Sequence, residues 1–235
     1  FTGMLSDIAQ LNKQIFDTAT DLYEVKVQKQ QAELSYLRSQ IDPHFLYNTL
    51  EVFRKEALEK DAPELAQMAV DMGNIFRYST KGESIVPLRD EISIIKSYIR
   101  IQKNRFQGKI EVFYFLPGET LQIPVMKMLL QPVVENAIFH GLEPKDGKGN
   151  LYLGARIEKR TLIITVKDDG VGIDPQTLRE LEEALENGTN AGGHIGIINT
   201  HSRIRLQYGK QYGIRIESRE GDGTTVIISV PVEEK

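Results

Sequence analysis

Four short stretches carry side chains whose types and spacing suit chemistry. In "QIDPHFLYNTL" (40–50), Pro43 interrupts an otherwise helical run and His44 follows it directly. An exposed imidazole is largely neutral at pH 7 and can act as a nucleophile. In "QPVVENAIFHGL" (131–142), Pro132, Asn136 and His140 stand four residues apart, on one face of a helix. A buried asparagine there offers a carbonyl oxygen, a hard ligand suited to Mg²⁺, which takes few protein ligands and keeps its other positions for phosphate oxygens and water. In "VKDDGVGI" (166–173), Asp168 ends a strand and Gly170 and Gly172 follow. A carboxylate so placed can accept a hydrogen bond from an amine, such as the exocyclic amine of adenine, and the glycines let a base approach the backbone. In "NAGGHIGIINTHSRI" (190–204), Gly192, Gly193 and Gly196 precede a helix, whose first N–H groups and dipole favour a phosphate. Taken singly, each has an ordinary explanation: a solvated helix face, a polar turn after a strand, a loop before a helix. The glycine stretch is neither a Walker loop nor a dinucleotide fingerprint, because no GK[ST] follows it and no strand leads into it.

These residues must be positioned by two unlike halves. The chain has 235 residues, 40% of them hydrophobic and 26% charged, enough for one large or two small domains. A net charge of -4 gives no basic field to recruit nucleic acid. The absence of cysteine excludes disulfides and thiolate metal sites. No run of about 18 apolar residues could span a bilayer. The first residues read as helix: Ile8, Leu11, Ile15, Leu22, Val25, Ala32 and Tyr36 form a heptad seam interrupted by Thr18, Lys29 and Ser39, which predicts a parallel coiled coil. "EKDAPE" (59–64) is a turn with Pro63 in the first turn of the next helix, which runs to about Tyr78 and makes a helical hairpin. A further helix spans about 88–106. Beyond Gly108 the pattern changes to a strand (110–116), a helix from about Pro124 to His140 with apolar rows Val125-Leu129-Val133-Ala137 and Met126-Leu130-Val134-Ile138, two strands (151–157 and 161–166) tightly joined at Lys159-Arg160, helices over 178–185 and 196–206, and a closing hairpin (214–217, 224–230) around "REGDGT". The expected fold is therefore α+β: an N-terminal helical coiled-coil and hairpin region, then a sheet covered by helices.

The order "ENA", "DDGVGI", "GGHIGIIN" resembles the N box and the two glycine boxes of the ATP-binding domain shared by histidine kinases, gyrase and MutL-type ATPases. That resemblance implies a Bergerat-type α/β sandwich holding ATP and Mg²⁺ under a mobile lid at about 174–193. Asn136 would hold the Mg²⁺ and Asp168 would read the adenine amine. Gly170, Gly172, Ile173, Gly193, His194, Gly196, Ile197 and His140 would shape or line the nucleotide pocket. The stretches "QIDPHFLYNTL", "MGNIFRYS" and "VPLRDEISIIKSYIRIQKNRF", with "HIGIINTHSRIRLQYG", further resemble the LytS/YesM-type sensor histidine kinases over nearly all the chain after about Gln30. The implied organisation is a coiled-coil signalling linker (1–30), a helical dimerisation and His-phosphotransfer region (31–108) and an ATP-binding kinase domain (109–235). The implied activity is ATP-dependent autophosphorylation of His44 in a homodimer, followed by transfer to an aspartate on a response regulator receiver domain. No nucleic-acid partner and no direct membrane contact of this fragment are expected. The chain begins at Phe1 rather than methionine, so a preceding segment with a membrane anchor is expected, with the fragment on the cytoplasmic side of a bacterial membrane.

Helical geometry assigns His44 its neighbours. Leu46, Leu50, Phe53 and Ala57 make one apolar stripe, and His44 points roughly 150° away from it, in line with Asn48, Glu51 and Lys55. Asn48, one turn on, is the better-placed partner; Glu51 lies about 10 Å along the axis. The residue after the acceptor, an acid in many histidine kinases, is here Phe45. Pro43 either re-aims Asp42 and frees the Ser39 carbonyl toward His44 by bending a long helix, or simply starts a helix with Asp42 as its N-cap. Two departures stand in the ATP half. His194 replaces the middle glycine of the second box, and Phe139 replaces the lysine three residues after Asn136, leaving Lys145, Lys148 or His140 as the phosphate cation. Two other readings compete with the kinase. A hydrolytic ATPase would carry an acid four residues before Asn136, where Pro132 stands, although Glu135 could still orient the acceptor or a water. A catalytically dead nucleotide-binding dimer would explain His194 and Phe139 as decay.

Overall fold

The computed structural model describes residues 43–106, 108–188 and 194–232. The expected coiled-coil linker, Ser39, Asp42 and Gly193 lie outside the described residues. The chain divides into two units, Phe1–Thr49 and Leu50–Lys235.

The described part of the first unit is the beginning of helix α1 (Pro43–Glu59). Here His44, Phe45 and Asn48 are exposed, and the Thr49 hydroxyl donates to the Phe45 carbonyl one turn back (2.8 Å).

In the second unit, α1 ends at Glu59, and Pro63 opens α2 (Pro63–Thr80), where its missing N–H goes unneeded. The apolar stripe of α1 is only partly covered: Ala57 is buried, whereas Phe53 stays 59% exposed. Leu50, Phe53 and Ala57 line a groove with Leu65, Met68 and Met72 of α2. Strand β1 (Ile85–Pro87) leads into α3 (Leu88–Arg105), whose Leu88, Ile92, Ile95 and Ile99 are buried at helical spacing. Buried Asp71 on α2 receives the Arg100 guanidinium of α3, with Nε at 2.8 Å, which ties the two helices together.

The rest is a five-stranded mixed sheet, in the order β2 (Ile110–Phe115), β4 (Gly149–Glu158), β5 (Thr161–Asp168), β7 (Gly223–Pro231), β6 (Gly213–Arg219). β2 and β4 are parallel and the other pairs antiparallel. Side chains alternate cleanly across it. Leu151 and Leu153 of β4, Leu162, Ile164 and Val166 of β5, Ile214 and Ile216 of β6, and Val226, Ile228 and Val230 of β7 are all buried. The same two-residue phase carries Asp168, Thr224 and Ser218 onto that covered face at one end of the sheet. Lys159 and Arg160, both at positive φ (45° and 67°), make the tight β4–β5 connection.

One expectation fails. The helix expected from Pro124 to His140 is in fact strand β3 (Pro124–Met126), a turn, helix α4 (Gln131–Asn136) and a π-helical turn (Ala137–Leu142). The physical reason is a partner remote in sequence. β3 pairs antiparallel with β1, Ile85 opposite Met126. The N–H groups of Met128, Leu129 and Leu130 donate to the buried carboxyl of Glu91 (2.6, 2.8 and 3.0 Å). Those donors start the α4 helix instead of continuing one, and Met128 sits at φ 56° in the turn. Helix α5 (Pro175–Asn187) begins earlier than expected, with Asp174 as its N-cap accepting from the Gln176 and Thr177 N–H groups (3.0 Å each). α6 (Ile195–Tyr208) completes the layer.

Candidate functional site

The site begins with the alternation in β5. Leu162, Ile164 and Val166 face the helices, so Asp168 does too, only 2% exposed. Its Oδ1 accepts from the Gly170 N–H (2.9 Å) and the Thr224 N–H (3.3 Å). Burial raises its pKa to about 6, against the opposing pull of those two hydrogen bonds. The neighbouring Asp169 points elsewhere. It accepts from the Asn150 N–H (2.8 Å) and pairs with Lys145 (2.9 Å), so Lys145 is engaged in holding the strand end.

The glycines around Asp168 are there for close approach. A Cβ on Gly170 would fall 2.2 Å from the Gly141 carbonyl oxygen, one on Gly172 (φ 70°) 2.0 Å from the Arg219 carbonyl oxygen, and one on Gly223 2.2 Å from the Asp168 carbonyl oxygen. Gly141 is the nearest approach to the carboxyl group: its Cβ would sit 2.6 Å from Asp168 Oδ1. The Val171 N–H donates to the Gly141 carbonyl (3.0 Å) and the Gly221 N–H to the Val171 carbonyl (2.7 Å). Ser218 fastens the loop, its hydroxyl accepting from the Ile173 N–H (2.9 Å) and donating to the Gly223 carbonyl (2.9 Å).

Opposite Asp168, α4 and the π-helical turn bring Asn136, Ala137, His140 and Gly141 to the same space. The Glu143 N–H reaches back five residues to the Ile138 carbonyl (2.8 Å), and wide turns of this kind are enriched at functional sites. A cavity of about 180 Å³ results, lined by Asn136, His140, Gly141, Asp168, Gly172, Ile173, Asp174, Thr177, His194, Ile197, Ile216, Thr224 and others. The amide nitrogen of Asn136 and Nδ1 of His194 are buried with no hydrogen-bond partner among the described residues. Polar atoms buried so are costly unless something completes them. His194 and His140 face each other with ring centroids 5.1 Å apart. Burial first, then His140, lowers the pKa of His194, which keeps its imidazole neutral at pH 7.

Of the site residues expected from the sequence, Asn136, His140, Asp168, Gly172, Ile173, His194 and Ile197 meet at this one cavity. Gly170 packs behind Asp168, and Gly196 lets α6 approach α4, with Pro132 Cβ 3.3 Å from where a Cβ would be. Glu135 lies outside the lining and accepts from the Gln131 amide (2.9 Å). Phe139, at the position of the missing lysine, lies 37% exposed under the Arg105 guanidinium (5.1 Å). Lys148, another expected cation, stands exposed near Glu111 (3.7 Å). Most of the segment implied as a mobile lid is the packed helix α5, with Leu181 and Ala184 buried. In the first unit, Asn48 Nδ2 lies 3.1 Å from His44 Nδ1. Glu51 is instead taken by Arg54 (2.6 Å). The sequence reading missed Gly141, Asp174, Thr177, Ser218 and Thr224. The only local signals were the glycine in "FHGL" and the threonines after "GDG".

A cavity of about 180 Å³ walled by a buried acid, a glycine loop and an asparagine helix is the site expected of the ATPase class. Residues 123–234 match the family model described as histidine kinase-, DNA gyrase B- and HSP90-like ATPase, and residues 32–110 match the histidine kinase model. Sensor histidine kinase YesM of Bacillus subtilis is 33% identical over 216 residues, covering 90% of this chain and 36% of that protein. Sensor histidine kinase YpdA of Escherichia coli is 31% identical over 235 residues (98% and 40%), and sensor protein kinase HptS of Staphylococcus aureus 29% over 202 (85% and 38%). The chain belongs to the LytS/YesM-type sensor histidine kinases, and it spans less than half the length of these relatives.

Proposed function

We propose that this chain is the catalytic region of a two-component sensor kinase that binds Mg²⁺-ATP, phosphorylates His44 and passes the phosphoryl group to an aspartate of a response regulator. The observation that carries the reading is the single cavity in which buried Asp168, Asn136 with its unpartnered amide nitrogen, and His194 with its unpartnered Nδ1 converge. Asp168, ionised above about pH 6, accepts the exocyclic amine of adenine, while its own Oδ1 is held by Gly170 and Thr224. Ile173, Ile197, Ile216 and Val226 supply apolar walls for the base. Asn136 would hold Mg²⁺ together with phosphate oxygens and water. Among the described residues no three His, Cys, Asp or Glu side chains cluster into a metal site of their own, which suits a cation that arrives with the nucleotide. Bound there, Mg²⁺ would neutralise developing charge on the phosphates. His194 and His140 edge the cavity, and Phe139, outside its lining, supplies no charge there.

His44 fits the role of acceptor because it is exposed and because Asn48 touches Nδ1. That contact orients the ring. The exposed apolar row Phe53, Leu65 and Met72 supports a homodimer whose partner covers the groove between α1 and α2. No described helix is long and apolar enough to cross a membrane, and an anchor in a preceding segment would place this region on the cytoplasmic side. The hydrolytic alternative lacks support at its key position, since Pro132 packs against Gly196 there. The test is incubation with labelled ATP and Mg²⁺. Acid-labile, base-stable label that disappears in His44→Gln, with nucleotide binding retained, is the expected result. Phosphate release without labelled protein would establish the ATPase instead, and nucleotide binding with neither would establish a non-catalytic dimer.

A further inference from the structure

The turn over residues 127–130 gathers contacts from three helices. Its N–H groups at Met128, Leu129 and Leu130 all enter the carboxyl group of Glu91 on α3. The same carboxyl group accepts the hydroxyl of Tyr78, from α2. The turn's carbonyls face the other way: Arg203 of α6 donates to the carbonyls of Lys127 (2.7 Å) and Met128 (3.4 Å). Lys127 itself stands over the Tyr78 ring (4.8 Å) and donates to the Lys81 carbonyl at the end of α2. Met128 is held at φ 56°, a conformation a methionine keeps only when its surroundings over-determine it.

Both sides of the nucleotide cavity lead into this turn through rigid elements. α4 starts from it and carries Asn136 less than two helical turns beyond Leu130. α6 carries His194 at its first end and Arg203 about 13 Å along its axis. A shift of either helix on ligand binding therefore moves donors or acceptors bonded to residues 127–130, and Glu91 passes that shift to Tyr78. A cap alone would need Glu91 but neither Tyr78 nor Arg203.

We propose that Glu91 is a positioning residue, and that residues 127–130 with Glu91, Tyr78 and Arg203 couple nucleotide binding in the cavity to helix α2 of the hairpin. The proposal rests on the nucleotide reading above. Its test is backbone hydrogen exchange of the whole chain with and without a Mg²⁺-bound non-hydrolysable ATP analogue, beside nucleotide titration and His44 labelling. In the unmodified protein the analogue should slow exchange at residues 136–141 and also at 74–80. Tyr78→Phe and Arg203→Gln should keep the first effect and an affinity within about twofold, lose the second, and slow labelling roughly tenfold, the worth of one charge-assisted hydrogen bond. A loss in kcat with little change in KM separates this role from simple capping, which would lower stability alone. Glu91→Gln tests the centre of the hub, and Tyr78→Phe keeps the proposal testable if that variant fails to fold. Protection at 136–141 without any change at 74–80 in the unmodified protein, or persistence of the 74–80 effect in both variants, overturns the coupling. No protection at 136–141 overturns the nucleotide reading and the coupling with it.

Discussion

Gly141→Ala places one methyl group where the structure has no room. The new Cβ would stand 2.6 Å from Asp168 Oδ1, 2.8 Å from its Cγ and 3.2 Å from its Oδ2. The carboxyl group cannot swing aside freely. Oδ1 is held by the Gly170 and Thr224 N–H groups, and the backbone on either side is pressed against Gly141 and Gly223. Accommodating the methyl group means shifting the π-helical turn away from the sheet or breaking those hydrogen bonds. Overpacking of this kind costs about 1–3 kcal/mol. For a chain of this size that lowers Tm by roughly 2–4 °C per kcal/mol. Because the displaced group is the one proposed to read the base, nucleotide affinity should fall by at least about tenfold, the equivalent of one lost hydrogen bond to a charged group. Thermal unfolding and titration with a fluorescent ATP analogue measure the two effects on the same sample. Gly118→Ala is the control. Nothing lies within 4 Å of its Cβ position, so it should shift stability by no more than about 0.5 kcal/mol. A Gly141→Ala protein with unchanged Tm and unchanged affinity would refute the argument that this glycine exists to admit Asp168.

Asp168 should make stability and nucleotide binding respond oppositely to pH. Folding raises its pKa from 3.8 to about 6, so the folded state holds a proton that the unfolded chain has lost, and this residue's contribution to stability falls as pH rises across that window. Asp168→Asn should abolish that slope and raise stability at pH 7 by up to about 3 kcal/mol, seen in urea unfolding, while nucleotide binding is lost. In the unmodified protein, binding should instead tighten between about pH 5 and about pH 7.5, as the carboxylate forms and accepts the adenine amine; isothermal titration checks it. Asn48→Ala removes the partner of His44 Nδ1 and should slow labelling of His44 by roughly two- to tenfold, one neutral hydrogen bond, without changing nucleotide affinity; unchanged labelling would remove Asn48 from the mechanism.

Much of this site was legible because strands and short hairpins are local. The alternation Leu162, Ile164, Val166 points Asp168 to the covered face with no knowledge of what covers it. Lys159-Arg160 and "REGDGT" announce their turns by residue type, and Pro63 announces a helix start. The chemistry of "DDGVGI" and "ENA" was legible only through their joint resemblance to the boxes of the ATP-binding family, since each stretch by itself has an ordinary explanation and straddles the end of an element. The stretch from Pro124 to His140 was misread because its apolar residues recur at helical spacing: Val125, Leu129, Val133 and Ala137 are all buried, but for two different reasons. The first packs from a strand and the next from a turn. What forbids the helix is Glu91, some forty residues upstream, which takes the N–H groups a helix would have used internally. Gly141, Ser218 and Thr224 escaped notice likewise, since each matters only through an atom brought to it from another strand or turn.

The sequence by itself determined which side chains could do chemistry and the face of its own element on which each stands, because periodicity and turn preference act over a few residues. Only the tertiary structure decided that Asn136, Asp168 and His194 share one cavity, that Gly141 abuts the acid and that Glu91 anchors the turn before the asparagine helix. Those facts depend on close packing and hydrogen bonds between groups far apart in the chain, which no local pattern encodes.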